Sequence, residues 1–323
     1  MSNWLYQEVL TEDDHRAPKF SQVATTNWMR ALSFEIIQEH GEKPVDQYNS
    51  CLKHFKSSYQ KLSPLENLAI FEPMFACLTY AQTLTSHSHV YIEEAWIAPS
   101  AIVSWYYCWY TAIRAISAVT GQPVADNHTA VYKAYVNSLR AKMPHPLNMQ
   151  ASHQKNEKYS IELPSLPSSS IFDLQAPFPN TREAAQGMLI QYLKGCSQYY
   201  ADLTKERILK KGTHENFRTT AAKAERNKHL DKCVSFMHCA FRYRGKANYR
   251  DAIYLNYGQS NSFDSREFLT DLATSSQFAF LLTLSLVSRS PLHVEAKKFI
   301  DDISLNLRGI DKIAPENKFW NVL

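Results

Sequence analysis

Five of the six residues from Trp105 to Tyr110 are aromatic, a density that no other part of the chain approaches. Apolar residues in and around this run recur at spacings of three and four, which predicts one face of a long helix. A first-turn proline, Pro99, and a terminating glycine, Gly121, predict where that helix begins and ends. The helix is expected to be buried on more than one side, and its aromatic residues Tyr106, Tyr107, Trp109 and Tyr110 are interpreted as core packing. Its predicted inner face consists of Ile102, Tyr106, Trp109, Ile113 and Ile116.

A second helix is predicted to begin near Asn127 and to direct Val131, Tyr135 and Leu139 inward. Two helices joined by a short turn form an antiparallel pair. The chain has 45% apolar residues but only 8 glycines among its 323 residues, a balance that suits long helices better than a sheet with many tight turns. We therefore predict a mainly α fold, a helical bundle with this antiparallel helix pair at its core.

The rest of the chain can be divided into segments that differ in composition and in hydrophobic pattern. A helix with Pro73 inside it is predicted after Ser63, followed by a loop at residues 86–89. Six prolines fall between residues 143 and 180, which predicts an insertion; residues 159–163 and 171–172 within it are candidates for a small β-hairpin. The predicted divisions are an N-terminal helical cover (1–62), a helical core (63–142 and 232–323), the Pro/Ser-rich insertion (143–180), and a long helix with a basic segment (181–231).

Several classes of protein are disfavoured. The longest apolar stretch, residues 278–287, is half the length that a bilayer requires, and the N-terminus does not resemble an export signal. Six scattered cysteines without a CxxC motif favour reduced thiols in the cytoplasm. No phosphate-binding glycine loop, HExxH or Gly-x-Ser-x-Gly motif is present. We expect a cytoplasmic protein with no membrane contact, no cofactor and no metal ion.

Positive charge is concentrated in one part of the chain. Between Lys205 and Arg250 there are thirteen Lys or Arg against four Asp or Glu, whereas the whole chain has a formal net charge of only +4. Such a concentration indicates a polyanionic partner. Arg242, Arg244, Lys246 and Arg250 could instead form an ordinary solvated face at the start of a helix.

Three stretches together resemble the HEPN superfamily. The run from Ser104 to Ile116 is similar to the second HEPN helix, with its paired aromatics and alanine-rich face, and Asn127-His128 resembles the start of the next helix. The segment from Phe241 to Asp251 resembles the HEPN sequence Arg-x-x-Ala-Asp-Tyr, with Asn248 in place of the aspartate. The three stretches occur in the expected order along the chain.

The resemblance implies an α-helical, usually dimeric protein, often a metal-independent endoribonuclease of toxin–antitoxin or antiviral defence systems. In that chemistry an arginine holds the scissile phosphate and a histidine moves the proton of the ribose 2′-hydroxyl. The expected partners are RNA or a nucleotide, a second copy of the chain, and a cognate protein. The resemblance assigns catalytic roles to Arg244, Arg250, Asp251 and His128, and nucleic-acid-binding roles to Arg242, Lys246, Asn248 and Tyr249.

The chain departs from the HEPN signature at its histidine. Neither Arg242 nor Arg244 has a histidine four to six residues later, and Asn256 stands where a histidine would follow Arg250. Arg140 with His145 and Arg207 with His214 match the spacing, but matches of this kind are expected by chance. A catalytically silent HEPN-like scaffold that binds a partner protein is therefore an alternative, as is an unrelated helical bundle. His128 could be a helix-start hydrogen-bonding residue only.

Overall fold

The computed structural model describes residues 17–40, 64–89, 97–122, 126–153, 159–162, 179–230, 233–248 and 264–307. These residues are predominantly helical, which confirms the predicted mainly α class. The helices are α1 (Ala17–His40), α2 (Pro64–His89), α3 (Ala98–Val119), α4 (His128–Ala134), α5 (Arg182–Lys210), α6 (Thr220–Leu230), α7 (Phe236–Asn248), α8 (Ser265–Ser288) and α9 (His293–Asn306). Three short strands are β1 (Gln150–His153), β2 (Tyr159–Glu162) and β3 (Cys233–Ser235).

Helix α3 is the centre of the hydrophobic core. It packs against α2, α7 and α8, and every residue of its predicted inner face is buried. Trp105 and Trp109, one turn apart, both donate their indole N–H to the hydroxyl of Ser275 in α8, each at 3.0 Å. A buried indole needs such an acceptor. The aromatic run therefore provides apolar packing together with specific polar contacts.

Helix α4 begins where the sequence predicted, because the Asn127 side chain accepts a hydrogen bond from the Ala130 backbone N–H at 2.9 Å. The α-helical part is short and continues as a π turn at Tyr135–Leu139 and a 3-10 turn at Arg140–Lys142. The three residues predicted to point inward, Val131, Tyr135 and Leu139, are all buried. Helix α4 forms only a small interface with α3, and the larger interfaces of α3 are with α2 and α8.

The prediction of a loop at residues 86–89 was wrong, because α2 continues through His89. Serine and histidine side chains suggest a helix end when they compete with the backbone for hydrogen bonds. Here they reinforce the helix: His87 Nδ1 contacts the carbonyl oxygen of Thr83 at 2.6 Å, and the Ser88 hydroxyl donates to that of Thr85 at 2.8 Å.

The insertion contributes two strands to a small antiparallel sheet with the strand order β2-β1-β3. Strand β2 covers most of the alternating stretch predicted for a hairpin, and it pairs with β1 in a register that aligns Gln150 with Glu162. Strand β3 pairs with the other edge of β1 and leads directly into α7. The predicted hairpin residues 171–172, and residues 1–16 and 41–62 of the predicted N-terminal cover, lie outside the described residues.

A buried carboxylate joins α1 to α5. Glu35 has no exposed surface, and its Oε2 accepts hydrogen bonds from Gln186 at 3.1 Å and contacts His145 Nε2 at 3.0 Å. Arg182 lies beside it, with Nε 3.5 Å from the same oxygen, and also pairs with Glu39. Helix α5 itself starts at a cap formed by Thr181, whose hydroxyl accepts from the Ala184 N–H. The Glu35 cluster thus connects three separate segments of the chain.

Among the described helices, none is both long enough and apolar enough to cross a membrane. The described cysteines are free thiols, and the sulfur atoms of Cys77 and Cys108 lie 3.5 Å apart in the core. The division of the chain into a cover, a core, an insertion and a basic segment stays a prediction.

Candidate functional site

Arg244 packs among aromatic side chains where α7 meets α3. Its Nη2 donates to the Tyr107 hydroxyl at 3.4 Å, and its guanidinium carbon lies 5.5 Å from the ring centre of Tyr106, 5.4 Å from that of Tyr107 and 5.9 Å from that of Phe241. Guanidinium groups are attracted to aromatic faces at such distances. We refer to Arg244, His128, Tyr106, Tyr107 and Phe241 as the Arg244 cluster.

His128 contacts the same three rings from α4. Its ring centre lies 5.5 Å from that of Tyr106, 5.9 Å from that of Tyr107 and 5.7 Å from that of Phe241. Its Nδ1 shares a 2.8 Å hydrogen bond with the Tyr106 hydroxyl. The structure therefore brings together two residues, Arg244 and His128, that are 116 positions apart in the sequence and that the resemblance placed in one site.

The electrostatics of the Arg244 cluster favour a neutral histidine beside a cation. Burial lowers the pKa of His128, and the nearby charge of Arg244 lowers it further. Burial raises the pKa of Tyr106, so its hydroxyl keeps its proton at neutral pH. If Tyr106 donates to Nδ1, the Nε2 atom of His128 carries the proton; if Nδ1 donates, Nε2 is free to accept one.

Arg244 has no acidic partner in the part of the chain that the structure describes. No carboxylate there lies within salt-bridge distance of its guanidinium, and its buried Nε has no hydrogen-bond partner. Its Nη2 contact with Tyr107 is a long one. A half-buried cation in this state can still bind an anion, and the planar guanidinium matches the oxygen atoms of a phosphate.

Arg242 lies on a different side of α7. It lies two positions before Arg244 in the sequence, which corresponds to a rotation of about 200° around a helix. Its guanidinium carbon lies 4.3 Å from the ring centre of Tyr199 in α5, and it hydrogen-bonds to Cys196. Burial acts to lower the pKa of Arg242, but Tyr192 and the thiols of Cys196 and Cys239 outweigh it, so the pKa is raised. The two arginines therefore do not form one paired site.

The other predicted site residues lie towards the end of α7 or beyond it. Lys246 is half-buried, and Asn248 is exposed at the last position of the helix. Tyr249, Arg250 and Asp251 lie outside the described residues, so their predicted roles stay predictions.

Two other histidines that could have met these arginines have different neighbours. His238 is nearly buried, with its ring centre 4.5 Å from that of Tyr132, and burial lowers its pKa to about 4. His214 pairs with Glu225 at 2.9 Å. The chance match of Arg140 with His145 is also separated, because Arg140 donates to the carbonyl oxygen of Asn148 while His145 contacts Glu35.

Sequence reasoning did not assign Tyr107 or Phe241 to the site. Tyr107 was interpreted as core packing because it belongs to the aromatic stripe, whereas it is half-buried and contacts Arg244. Tyr106, Trp109 and Tyr110 are buried as that interpretation requires. A signal for Tyr107 was present in its position: at 100° per residue it lies to one side of the inner face formed by Tyr106 and Trp109.

Within the described ranges no group of three His, Cys, Asp or Glu side chains is arranged to hold a metal ion. Comparison of the chain with protein-family models, with curated proteins and with solved structures finds no match. The arguments for function that follow therefore depend on the geometry and chemistry of the Arg244 cluster and on the resemblance of the three sequence stretches.

Proposed function

We propose that the Arg244 cluster binds a phosphate group of RNA or of a nucleotide, in a HEPN-like helical protein. The observation that carries this proposal is the guanidinium of Arg244, half-buried among aromatic rings and without a carboxylate partner among the described residues. A buried donor that lacks a partner costs about 1–3 kcal/mol, and a phosphate oxygen would remove that cost. The Tyr107 hydroxyl adds a second polar group at the same point.

Arg244→Met should lower the affinity for a short single-stranded RNA at least tenfold. Methionine keeps much of the apolar stem but removes the charge-assisted hydrogen bonds, each worth about 1.5–3 kcal/mol. The measurement is fluorescence anisotropy with a labelled RNA of twelve nucleotides at low salt, after thermal unfolding has shown that the variant is folded.

Arg140→Met is the matched control, because Arg140 is also half-buried but lies outside the Arg244 cluster and donates to the carbonyl oxygen of Asn148 at 2.9 Å. We expect its affinity to stay within threefold of the wild type. If Arg244→Met is folded and binds RNA as tightly as the wild type, the proposal is wrong and Arg244 serves only to hold α7 against α3.

Metal-independent RNA cleavage is a second candidate function, favoured by the position of His128. No described residue hydrogen-bonds to its Nε2, and its lowered pKa keeps the ring neutral at pH 7. In this reaction the ribose 2′-oxygen attacks the adjacent phosphorus and the bond to the 5′-oxygen breaks, giving a 2′,3′-cyclic phosphate and a 5′-hydroxyl. His128 accepts the 2′-hydroxyl proton, water supplies a proton to the leaving oxygen, and Arg244 stabilises the phosphate charge.

His128→Gln should reduce cleavage about 10²-fold or more while RNA affinity changes less than threefold, because general base catalysis contributes on this scale. The wild-type rate should rise with pH and level off below pH 7, since the base is active only when neutral and its pKa is lowered. The assay uses end-labelled RNA in chelator and identifies the cyclic phosphate product. Equal product from both proteins would exclude His128 as the base. RNA binding with no product from the wild type would support the silent scaffold.

A further inference from the structure

The C-terminal part of α5, the following loop and α6 form a small helical hairpin, residues 203–230, which we call the basic arm. Its residues Ile208, Ala222 and Leu230 are buried, and most of its other residues are exposed or half-buried. The loop is fixed by the His214–Glu225 pair and by Arg226, whose guanidinium carbon lies 5.9 Å from the Phe217 ring centre. The basic arm therefore presents its surface side chains on a defined scaffold.

The charge of the basic arm exceeds that of the whole protein. Its 28 residues contain eight Lys or Arg and three Asp or Glu, so the rest of the chain has a formal net charge of −1. Outside the basic arm, the chain therefore has little net attraction for a polyanion. Any such attraction is confined to this hairpin and to the adjoining part of α7.

Five cations of the basic arm are exposed and have no acidic partner within salt-bridge distance in the described structure. They differ from Lys205, which pairs with Asp202 at 3.1 Å, and from Lys210, which pairs with Glu206 at 3.8 Å. An unpaired cation does not have to break an ion pair when it binds a phosphate, so its full charge is available to that phosphate. The five are Arg207, Lys211, Arg218, Lys223 and Lys228.

The basic arm is connected in space to the Arg244 cluster. Helices α5 and α7 contact each other at several levels; near the start of α7 the Tyr200 hydroxyl donates to the carbonyl oxygen of His238 at 3.5 Å. Arg207 lies beyond this contact along α5, and Arg244 lies beyond it in the opposite direction along α7. With a rise of 1.5 Å per residue, the two backbone positions are about 20 Å apart. A single phosphate cannot contact both, whereas an oligonucleotide can.

Tyr199 lies between the two regions with 41% of its surface exposed. Arg242 lies against its ring at 4.3 Å, which fixes the orientation of the ring. An exposed aromatic ring beside a row of cations is the combination with which proteins bind single-stranded nucleic acids, because the ring stacks on an unpaired base while the cations contact the backbone. A duplex or an acidic protein would leave the ring unused.

We propose that the basic arm binds the phosphodiester backbone of a single-stranded RNA whose neighbouring segment lies at the Arg244 cluster. This inference rests on the proposed function and extends it, since it makes the ligand an RNA strand and not a mononucleotide. Tyr199 stacks on a base between the two regions, and the unpaired cations of the basic arm contact successive phosphates.

The test compares two quadruple variants of the full chain with the same change in charge. The arm variant carries Arg207→Gln, Lys211→Gln, Arg218→Gln and Lys223→Gln. The matched control carries Arg266→Gln, Arg289→Gln, Lys297→Gln and Lys298→Gln, four exposed cations of α8, α9 and the turn between them. Binding of a labelled single-stranded RNA of twenty nucleotides is measured from 50 to 300 mM salt. Circular dichroism verifies that both variants are folded.

The arm variant should bind RNA at least tenfold more weakly at low salt, and the slope of log affinity against log salt should become shallower by about 3, since each backbone contact contributes about 0.7. The control should stay within threefold. Binding of a nucleoside monophosphate, measured by calorimetry, should be unchanged in the arm variant and lost in Arg244→Met.

The outcomes separate the two proposals. Equal RNA affinity of the arm and control variants overturns the role of the basic arm, even if Arg244→Met abolishes binding. Loss of RNA binding in the arm variant, with no mononucleotide binding by the wild type, supports the basic arm and contradicts the proposed function. Displacement of the RNA by polyglutamate at equal charge concentration overturns the assignment of the surface to RNA and indicates an acidic protein partner.

Discussion

Asp271→Asn should raise the free energy of unfolding by about 4 kcal/mol at pH 8 and leave it almost unchanged at pH 4. Asp271 is buried in α8, and this burial raises the pKa of its carboxyl to about 7 from an ordinary value of 3.8, despite the nearby Arg30 and a hydrogen bond from Ser33. Each pKa unit corresponds to about 1.4 kcal/mol. Asparagine has no charge to bury.

The sign follows from proton binding in the two states. Between pH 4 and 7 the folded chain keeps a proton on Asp271 that the unfolded chain releases, so stability falls as the pH rises through this range and is constant above it. His238 has the opposite effect, because its pKa is lowered to about 4 and stability rises with pH between about 4 and 6.5. In the wild type the effects of Asp271 and His238 on stability should nearly cancel, so their combined contribution changes little with pH. In Asp271→Asn only the effect of His238 remains, and the free energy of unfolding should rise between about pH 4 and 6.5.

Urea unfolding at pH 4, 5.5, 7 and 8 measures this difference. The control is Glu267→Gln, which removes a neighbouring carboxyl that also pairs with Arg30, at 2.8 Å, but is 45% exposed. We expect a change below about 1 kcal/mol from the control, because exposed ion pairs contribute little. Parallel stability curves for Asp271→Asn and the wild type across this pH range would contradict the prediction.

Glu35→Ala should destabilise the fold by about 3–5 kcal/mol, the range observed when one partner of a buried ion pair is removed. Glu35 is fully buried, and its loss leaves His145 and Gln186 without the carboxylate oxygen that they contact at 3.0 and 3.1 Å. These contacts join α1, α5 and the segment after α4, so a single cooperative unfolding transition should move to lower urea concentration.

Glu39→Ala is the matched control, since Glu39 lies one turn further along α1 and also pairs with Arg182 but is 28% exposed. Its effect should be below about 1 kcal/mol. If the two variants have the same unfolding midpoint, the Glu35 cluster does not stabilise the fold and its charges are solvated more fully than the geometry indicates.

The elements that could be predicted from the sequence are those whose cause is local. The periodicity of α3, the Asn127 cap of α4 and the inward positions Val131, Tyr135 and Leu139 depend on residues within one or two turns of each other. The loop predicted at residues 86–89 failed for a related reason, because the same side chains can end a helix or bond back to its carbonyl groups. Composition cannot distinguish these two outcomes.

The Arg244 cluster could be predicted only in part. The resemblance placed Arg244 and His128 in one site, and the structure brings both onto the rings of Tyr106, Tyr107 and Phe241. The divergence of Arg242 from Arg244 follows from helix geometry, but the partner that each arginine meets depends on how α5 and α3 pack on opposite sides of α7. Such packing depends on contacts between distant segments, which local patterns do not encode.

The two tryptophans that share the Ser275 hydroxyl restrict how the protein can move. If α3 slid along α8 by one turn, both indole groups would lose their acceptor inside a dry core, at a cost of about 1–3 kcal/mol for each. Any opening that admits a ligand to Arg244 should therefore come from displacement of α4 or α7, while α3 and α8 keep their alignment. Hydrogen exchange should accordingly be slowest in α3 and α8, and it should respond to RNA mainly in α4, α7 and the basic arm.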